Sequence, residues 1–264
     1  MGVASTDTYI HRESVIHRWS PRLKLVSLGA LMFAFATVQH LALVPWLLGL
    51  TAMLYGLSEL PLSFLRQRLS YPGMFILAVV VLLPLTVGET VLWQWGWLTL
   101  RLEGLQATGL IVGRFVSILT LGFILLGTTP FLTLLQAMRS LGLPNLLADM
   151  TLLSYRYLFE IAAMLSTMQQ AMRLRGFGHR PQRWLRVNSQ TMQQLAMLAG
   201  NLLIRSYEQS ERVYKAMRLR GYGQRQPAPP QAADPLSVQN WALTAGVLVA
   251  AASLVIAEMG WEQW

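Results

Sequence analysis

Residues 25–57 contain no Asp, Glu, Lys or Arg and form a long apolar run, single hydroxyl residues apart, broken only at Gln39-His40 and Pro45. A helix that is apolar all round needs a protein core or a bilayer to cover it. About 20 residues cross a bilayer as a helix, so the run is too long for one crossing and short for two. Residues 241–257 have the same character, and residues 74–92 and 105–127 are similarly apolar with one charged residue each, Glu89 and Arg114. The chain is 54% hydrophobic and 12% charged, with mean hydropathy +0.43. Soluble domains carry about 25% charged residues, which excludes an ordinary soluble enzyme. The expected fold is an all-α membrane protein: about five transmembrane helices plus a cytoplasmic domain of long amphipathic helices.

Charge decides the sides. Arg12, Arg18, Arg22 and Lys24 precede the first apolar run, and Arg66 and Arg68 follow it. Basic segments stay cytoplasmic, so the run crosses an even number of times. Two short spans turning near residues 39–45 satisfy that. Residues 74–92 form the third span, with Pro84 inside and Trp93, Trp95 and Trp97 as an interfacial aromatic belt. Residues 105–127 are the fourth and 241–257 the fifth. Between the last two lie 13 of the 21 cations, and only five acids. The expected divisions are 1–127 (N-terminal segment and four spans), 128–237 (cytoplasmic helical domain) and 238–264 (fifth span and tail). Of the cations, only Arg101 falls outside and Arg114 inside a span. This predicts a multi-pass protein of the cell inner membrane with a cytoplasmic N-terminus.

The helical domain says one phrase twice. Residues 171–178 read Ala-Met-Arg-Leu-Arg-Gly-Phe-Gly, and residues 216–223 repeat them with Tyr222 in place of Phe177. A basic last turn followed by Gly is a common helix ending. Capping alone requires neither the aromatic nor the second Gly. The sharper expectation is a twinned docking element made of Arg173, Arg175, Gly176 and Phe177 in one copy and Arg218, Arg220, Gly221 and Tyr222 in the other. Helices are expected from Thr129-Pro130 to about Ser140, then to Arg175, and from Asn188 or Ser189 to Arg220. Glu208/Arg212 and Glu211/Lys215 form i,i+4 pairs on the last of these, and residues 226–235 read as a linker.

Catalytic patterns are missing from the sequence. No Gly-Lys dipeptide occurs, so a P-loop is not expected, and neither Gly-x-Ser-x-Gly nor His-Glu-x-x-His is present. The chain reads as a non-enzyme with no cofactor and no metal ligand set. His11 and His17 are six apart, a spacing that suits tail residues better than metal ligands. The 13 Met residues lack paired spacing and read as packing. Arg114 is the intramembrane oddity. It either snorkels or pairs with a Glu, or it makes an inter-subunit contact.

Ser14-Val-Ile-His17-Arg18-Trp-Ser-Pro21-Arg22-Leu23-Lys24-Leu25, Arg114, Thr128-Thr129-Pro130, Leu141-Gly-Leu-Pro144 and the stretch from Leu203 to Ala216 together resemble the T component of energy-coupling factor transporters. The branch they look most like is CbiQ, of cobalt and nickel uptake. The repeat resembles the family's two Ala-Arg-Gly signatures, with Leu174 and Leu219 standing where the family has Ala. The resemblance implies a coupling subunit that joins two ABC ATPase subunits to a small membrane S component carrying the ion, in a lipid bilayer and without nucleic acid. A membrane-anchored basic nucleic-acid binder is the alternative, and an intramembrane enzyme is disfavoured by the missing catalytic constellation.

Overall fold

The computed structural model describes residues 14–86, 91–95, 98–175, 189–222 and 238–261. In chain order the elements are α1 (Val15–Arg18), α2 (Pro21–Thr37), a 3-10 turn (Leu41–Leu43), α3 (Val44–Ser58), α4 (Leu62–Thr86), β1 (Val91–Trp95), β2 (Leu98–Arg101), α5 (Leu102–Thr128), α6 (Phe131–Ser140), α7 (Asn145–Leu174), α8 (Ser189–Leu219) and α9 (Val238–Trp261). They fall into two units. Residues 144–232 form one, and the segments on either side of them form the other.

The larger unit is the membrane bundle. Four helices among the described residues are long and apolar enough to span: Leu41–Ser58, Leu62–Pro84, Leu102–Thr128 and Asn240–Gly260. The all-helical membrane architecture expected from the sequence is therefore the one observed. The fifth apolar helix, α2, has 17 residues, about 25 Å at 1.5 Å per residue. It lies inside the bundle. Leu28, Leu31 and Phe35 are buried, and they share a core with Leu47 of α3, Leu121 and Ile124 of α5 and Ala251 of α9. Trp19 Nε1 donates to Thr244 Oγ1 at 3.1 Å, tying the start of α2 to α9.

Local chemistry sets the breaks. Pro21 opens α2 in its first turn, and Pro45 opens α3 the same way, where a missing N–H costs nothing. The 25–57 run thus turns at Val38–Leu43, where the sequence places its break. Glu59 adopts φ +53° at the end of α3, and Pro61 follows.

The third span departs from expectation. It begins at Leu62, twelve residues before the expected start at Met74, and stops at Thr86 instead of Leu92. Val91–Trp95 forms a strand paired antiparallel with Leu98–Arg101, with a bulge between Val91 and Trp93. Val and Trp favour extended backbone, and α4 already carries Pro72 and Pro84 inside it. Trp93 and Trp95 therefore sit on a hairpin strand, while Trp97 lies outside the described residues.

Several threonine hydroxyls inside the spans bond their own helix, which satisfies them in a medium without water. Thr108 donates to Gly104 O at 2.7 Å, Thr120 to Val116 O at 2.7 Å and Thr128 to Ile124 O at 2.7 Å. Gly113 permits the closest helix approach. A Cβ there would stand 2.5 Å from Val44 Cγ1. Where α5 hands over to α6, Lys24 is 1% exposed. Its Nζ donates to Thr128 Oγ1 at 3.3 Å and Thr129 Oγ1 at 3.1 Å.

Candidate functional site

The second unit is built on α7 and α8, of 30 and 31 residues, each about 45 Å long. Gln209 Nε2 donates to Glu160 Oε1 at 3.3 Å, and Tyr222 Oη donates to Asp149 Oδ2 at 3.1 Å. The first contact joins the middle of α7 to α8. The second joins the start of α7 to the end of α8, so the helices run in opposite directions. Arg220 lies two residues from the Asp149 contact. Arg175 lies 26 residues along α7 from Asp149, about 39 Å at 1.5 Å per residue.

The two copies of the repeat end their helices alike. Arg175 N–H donates to Ala171 O at 3.2 Å and Met172 O at 3.1 Å; Arg220 N–H donates to Ala216 O at 3.2 Å and Met217 O at 3.1 Å. In the second copy Gly221 has φ +77° and donates to Arg218 O, while Tyr222 N–H donates to Met217 O. That pair of bonds is a Schellman ending, and Gly is the residue that takes its left-handed position without strain. Gly176 and Phe177 lie outside the described residues.

Capping therefore accounts for Gly221, and the Asp149 contact for Tyr222, but neither accounts for the arginines. Arg173, Arg175, Arg218 and Arg220 are all exposed. Arg218 rests over the Tyr214 ring at 5.8 Å. Leu174 and Leu219 are each 90% exposed. Sequence reading noted these leucines only as departures from a motif. An apolar side chain open to solvent beside each arginine adds contact area to each tip.

The polar pairs of α8 follow the sequence in part. Lys215 Nζ sits 3.4 Å from Glu211 Oε2. A hydrogen bond from the Tyr207 hydroxyl, then Lys215, holds the Glu211 carboxyl below its ordinary range. Arg212 instead donates through Nε and Nη2 to Gln209 Oε1, at 3.3 and 2.9 Å.

Arg114 has an intramolecular task in the membrane bundle. Its Nη2 donates to Val38 O. The N–H of the same peptide unit, on Gln39, donates to Glu258 Oε1 at 2.8 Å. One peptide group is thus gripped on both sides, by α5 and α9, at the place where α2 unwinds. Each side chain supplies the partner that a helix would have given. Sequence reading singled out Arg114 but took Glu258 for the end of a span. Its spacing from the apolar run gave no sign of burial.

Among the described residues no group of three His, Asp or Glu is placed to hold a metal ion. His17 Nδ1 lies 2.7 Å from Ser14 Oγ, and His11 lies outside the described residues.

Comparison with known proteins matches the profile of the CbiQ family, described as cobalt transport protein, to residues 12–230. The energy-coupling factor transporter transmembrane protein EcfT of Brevibacillus brevis is 27% identical over 227 residues, covering 81% of this chain and 83% of its own. EcfT of Lacticaseibacillus paracasei is 29% identical over 229 residues, with the same shares. EcfT of Limosilactobacillus fermentum is 28% identical over 183 residues, 64% of this chain and 67% of its own.

Proposed function

The chain belongs to the CbiQ family of cobalt transport proteins, and from that membership we propose that it transmits ATP-driven motion from two ABC ATPase subunits to an S component for uptake of cobalt or nickel. It is a non-catalytic transmembrane component of an energy-coupling factor transporter. The ATPase docking, the ion and the cytoplasmic placement of α7 and α8 belong to this proposal, as does the division at residues 128 and 237.

One observation carries the reading. The chain presents the same arginine-tipped helix ending twice, on antiparallel helices, with the tips about 39 Å apart. A single small groove does not span that distance, whereas two copies of one partner meet two copies of one tip. A guanidinium at each tip donates to several acceptors in a partner groove, and exclusion of water strengthens those bonds. Apolar surface on the same helices, including Leu146, Leu158, Leu203 and Tyr207, is exposed. A pair of helices cannot bury its own apolar faces completely, and a partner surface covers the remainder.

The test is ion uptake, scored together with ATPase co-purification, in cells carrying single alanine substitutions. Removing one partner of a buried charged contact costs about 2–5 kcal/mol. Arg175→Ala or Arg220→Ala is expected to cut uptake at least about tenfold, and the double variant to abolish it. Arg173→Ala and Arg218→Ala are expected to do less, since they lie roughly 200° around their helices from the tips. Small and equal losses in all four single variants would reduce the repeat to a pair of helix caps.

A further inference from the structure

The clamp on the Val38–Gln39 peptide uses one polar atom of each of its side chains and leaves another idle. Arg114 Nε and Glu258 Oε2 are both buried and, among the described residues, without a hydrogen-bond partner. Glu258 is 5% exposed. Both side chains line the same cavity of about 580 Å³, between the end of α2, the first half of α5 and the end of α9. Ala107, Leu110, Ile111 and Val255 give it apolar walls, and Met259, 60% exposed, is also part of its lining. The lining thus reaches the exposed surface of the span Asn240–Gly260, which acyl chains cover.

We propose that this cavity binds the headgroup of a zwitterionic phosphoethanolamine lipid. An idle guanidinium N–H needs an anionic acceptor, and an idle carboxylate oxygen needs a donor. A phosphate and a primary ammonium on one short linker supply both. The two side chains sum to zero charge, so an anionic glycerol headgroup satisfies Arg114 but brings an uncompensated charge, and its hydroxyls give Glu258 a neutral donor where the ammonium gives a charged one. A choline headgroup has the same phosphate and no N–H to give. The apolar walls continue the contact along the glycerol and acyl chains. Neither the ATPase reading nor the identity of the ion enters this assignment.

The experiment is thermal unfolding of the full-length chain in detergent, titrated with dioleoyl phosphatidylethanolamine, phosphatidylcholine or phosphatidylglycerol. The ethanolamine lipid is expected to bind roughly tenfold more tightly than the other two, the worth of one charge-assisted hydrogen bond. Glu258→Gln is expected to bring it down to the choline level. Because Glu258 also holds the Val38–Gln39 peptide, a second variant, Ala107→Phe, fills the cavity and leaves the clamp untouched; it is expected to remove the preference. Equal binding of ethanolamine and choline lipids would mean that water satisfies the idle atoms, and would overturn the assignment. Tighter binding of the glycerol lipid, or a preference that survives Ala107→Phe, would overturn it as well. Protection by water-soluble glycerophosphoethanolamine as strong as that by the lipid would make the ligand a free solute and end the lipid reading.

Discussion

Lys24 is buried where a membrane bundle has few acceptors to spare, and among the described residues it is held by the hydroxyls of Thr128 and Thr129. Stranding a buried charge costs more than removing it. Thr128→Val combined with Thr129→Val leaves the ammonium unpaired and is expected to cost about 3–5 kcal/mol. Lys24→Met takes the charge away, and Thr128 keeps its bond to Ile124 O, so about 1 kcal/mol is expected. Thermal unfolding in detergent checks the order, and a costlier Lys24→Met would refute it. Gly221 separates stability from docking in the same way. At φ +77°, Gly221→Ala is expected to lose about 1–2 kcal/mol. Arg220→Ala should leave the unfolding temperature nearly unchanged while uptake falls. Charged residues at span ends were only partly legible in the sequence. Arg114 stood out because a cation is costly within an apolar run. Glu258 did not, because its partner is a backbone amide, and backbone amides leave no mark in a sequence.

Elements were legible where proline and apolar length agree. Pro45 marked the turn before α3, and the Leu141-Gly142-Leu143-Pro144 break separated α6 from α7, whereas Pro21, which opens α2, lies ahead of the apolar run and gave no start. The third span was misjudged at both ends. Its first half carries Arg66, Arg68 and Tyr71, which hid the helix from a count of apolar residues. The tryptophans of the expected belt lie partly on a hairpin, whose pairing depends on residues on both sides of the turn. Helix contacts were not legible at all, because Gly113 and Gly29 look alike in a string of letters. Only Gly113 faces a close neighbour. Gly113→Ala is expected to force α5 off Val44 and cost about 1–3 kcal/mol. Gly29→Ala, with nothing within 4 Å, should be neutral or slightly stabilising through helix propensity. Equal effects of the two substitutions would contradict the packing of α3 on α5.

The membrane class follows from how 12% charged residues are distributed, and the placement of the cations predicts the sides. Because the chain has no cysteine, single ones introduced at Ser189 and Gln263 report cleanly. A membrane-impermeant thiol reagent is expected to reach them from opposite faces. Labelling from one face would rule out an odd number of crossings between residue 189 and the C-terminus. A consequence also follows from the opposed directions of α7 and α8. An α-helix resists stretching far more than tilting, so the pair behaves as a strut with a handle at each end. Partners that approach one another while gripping those handles cannot shorten it. Any part of their movement that runs across the line between the handles, about 39 Å apart, tilts the pair instead.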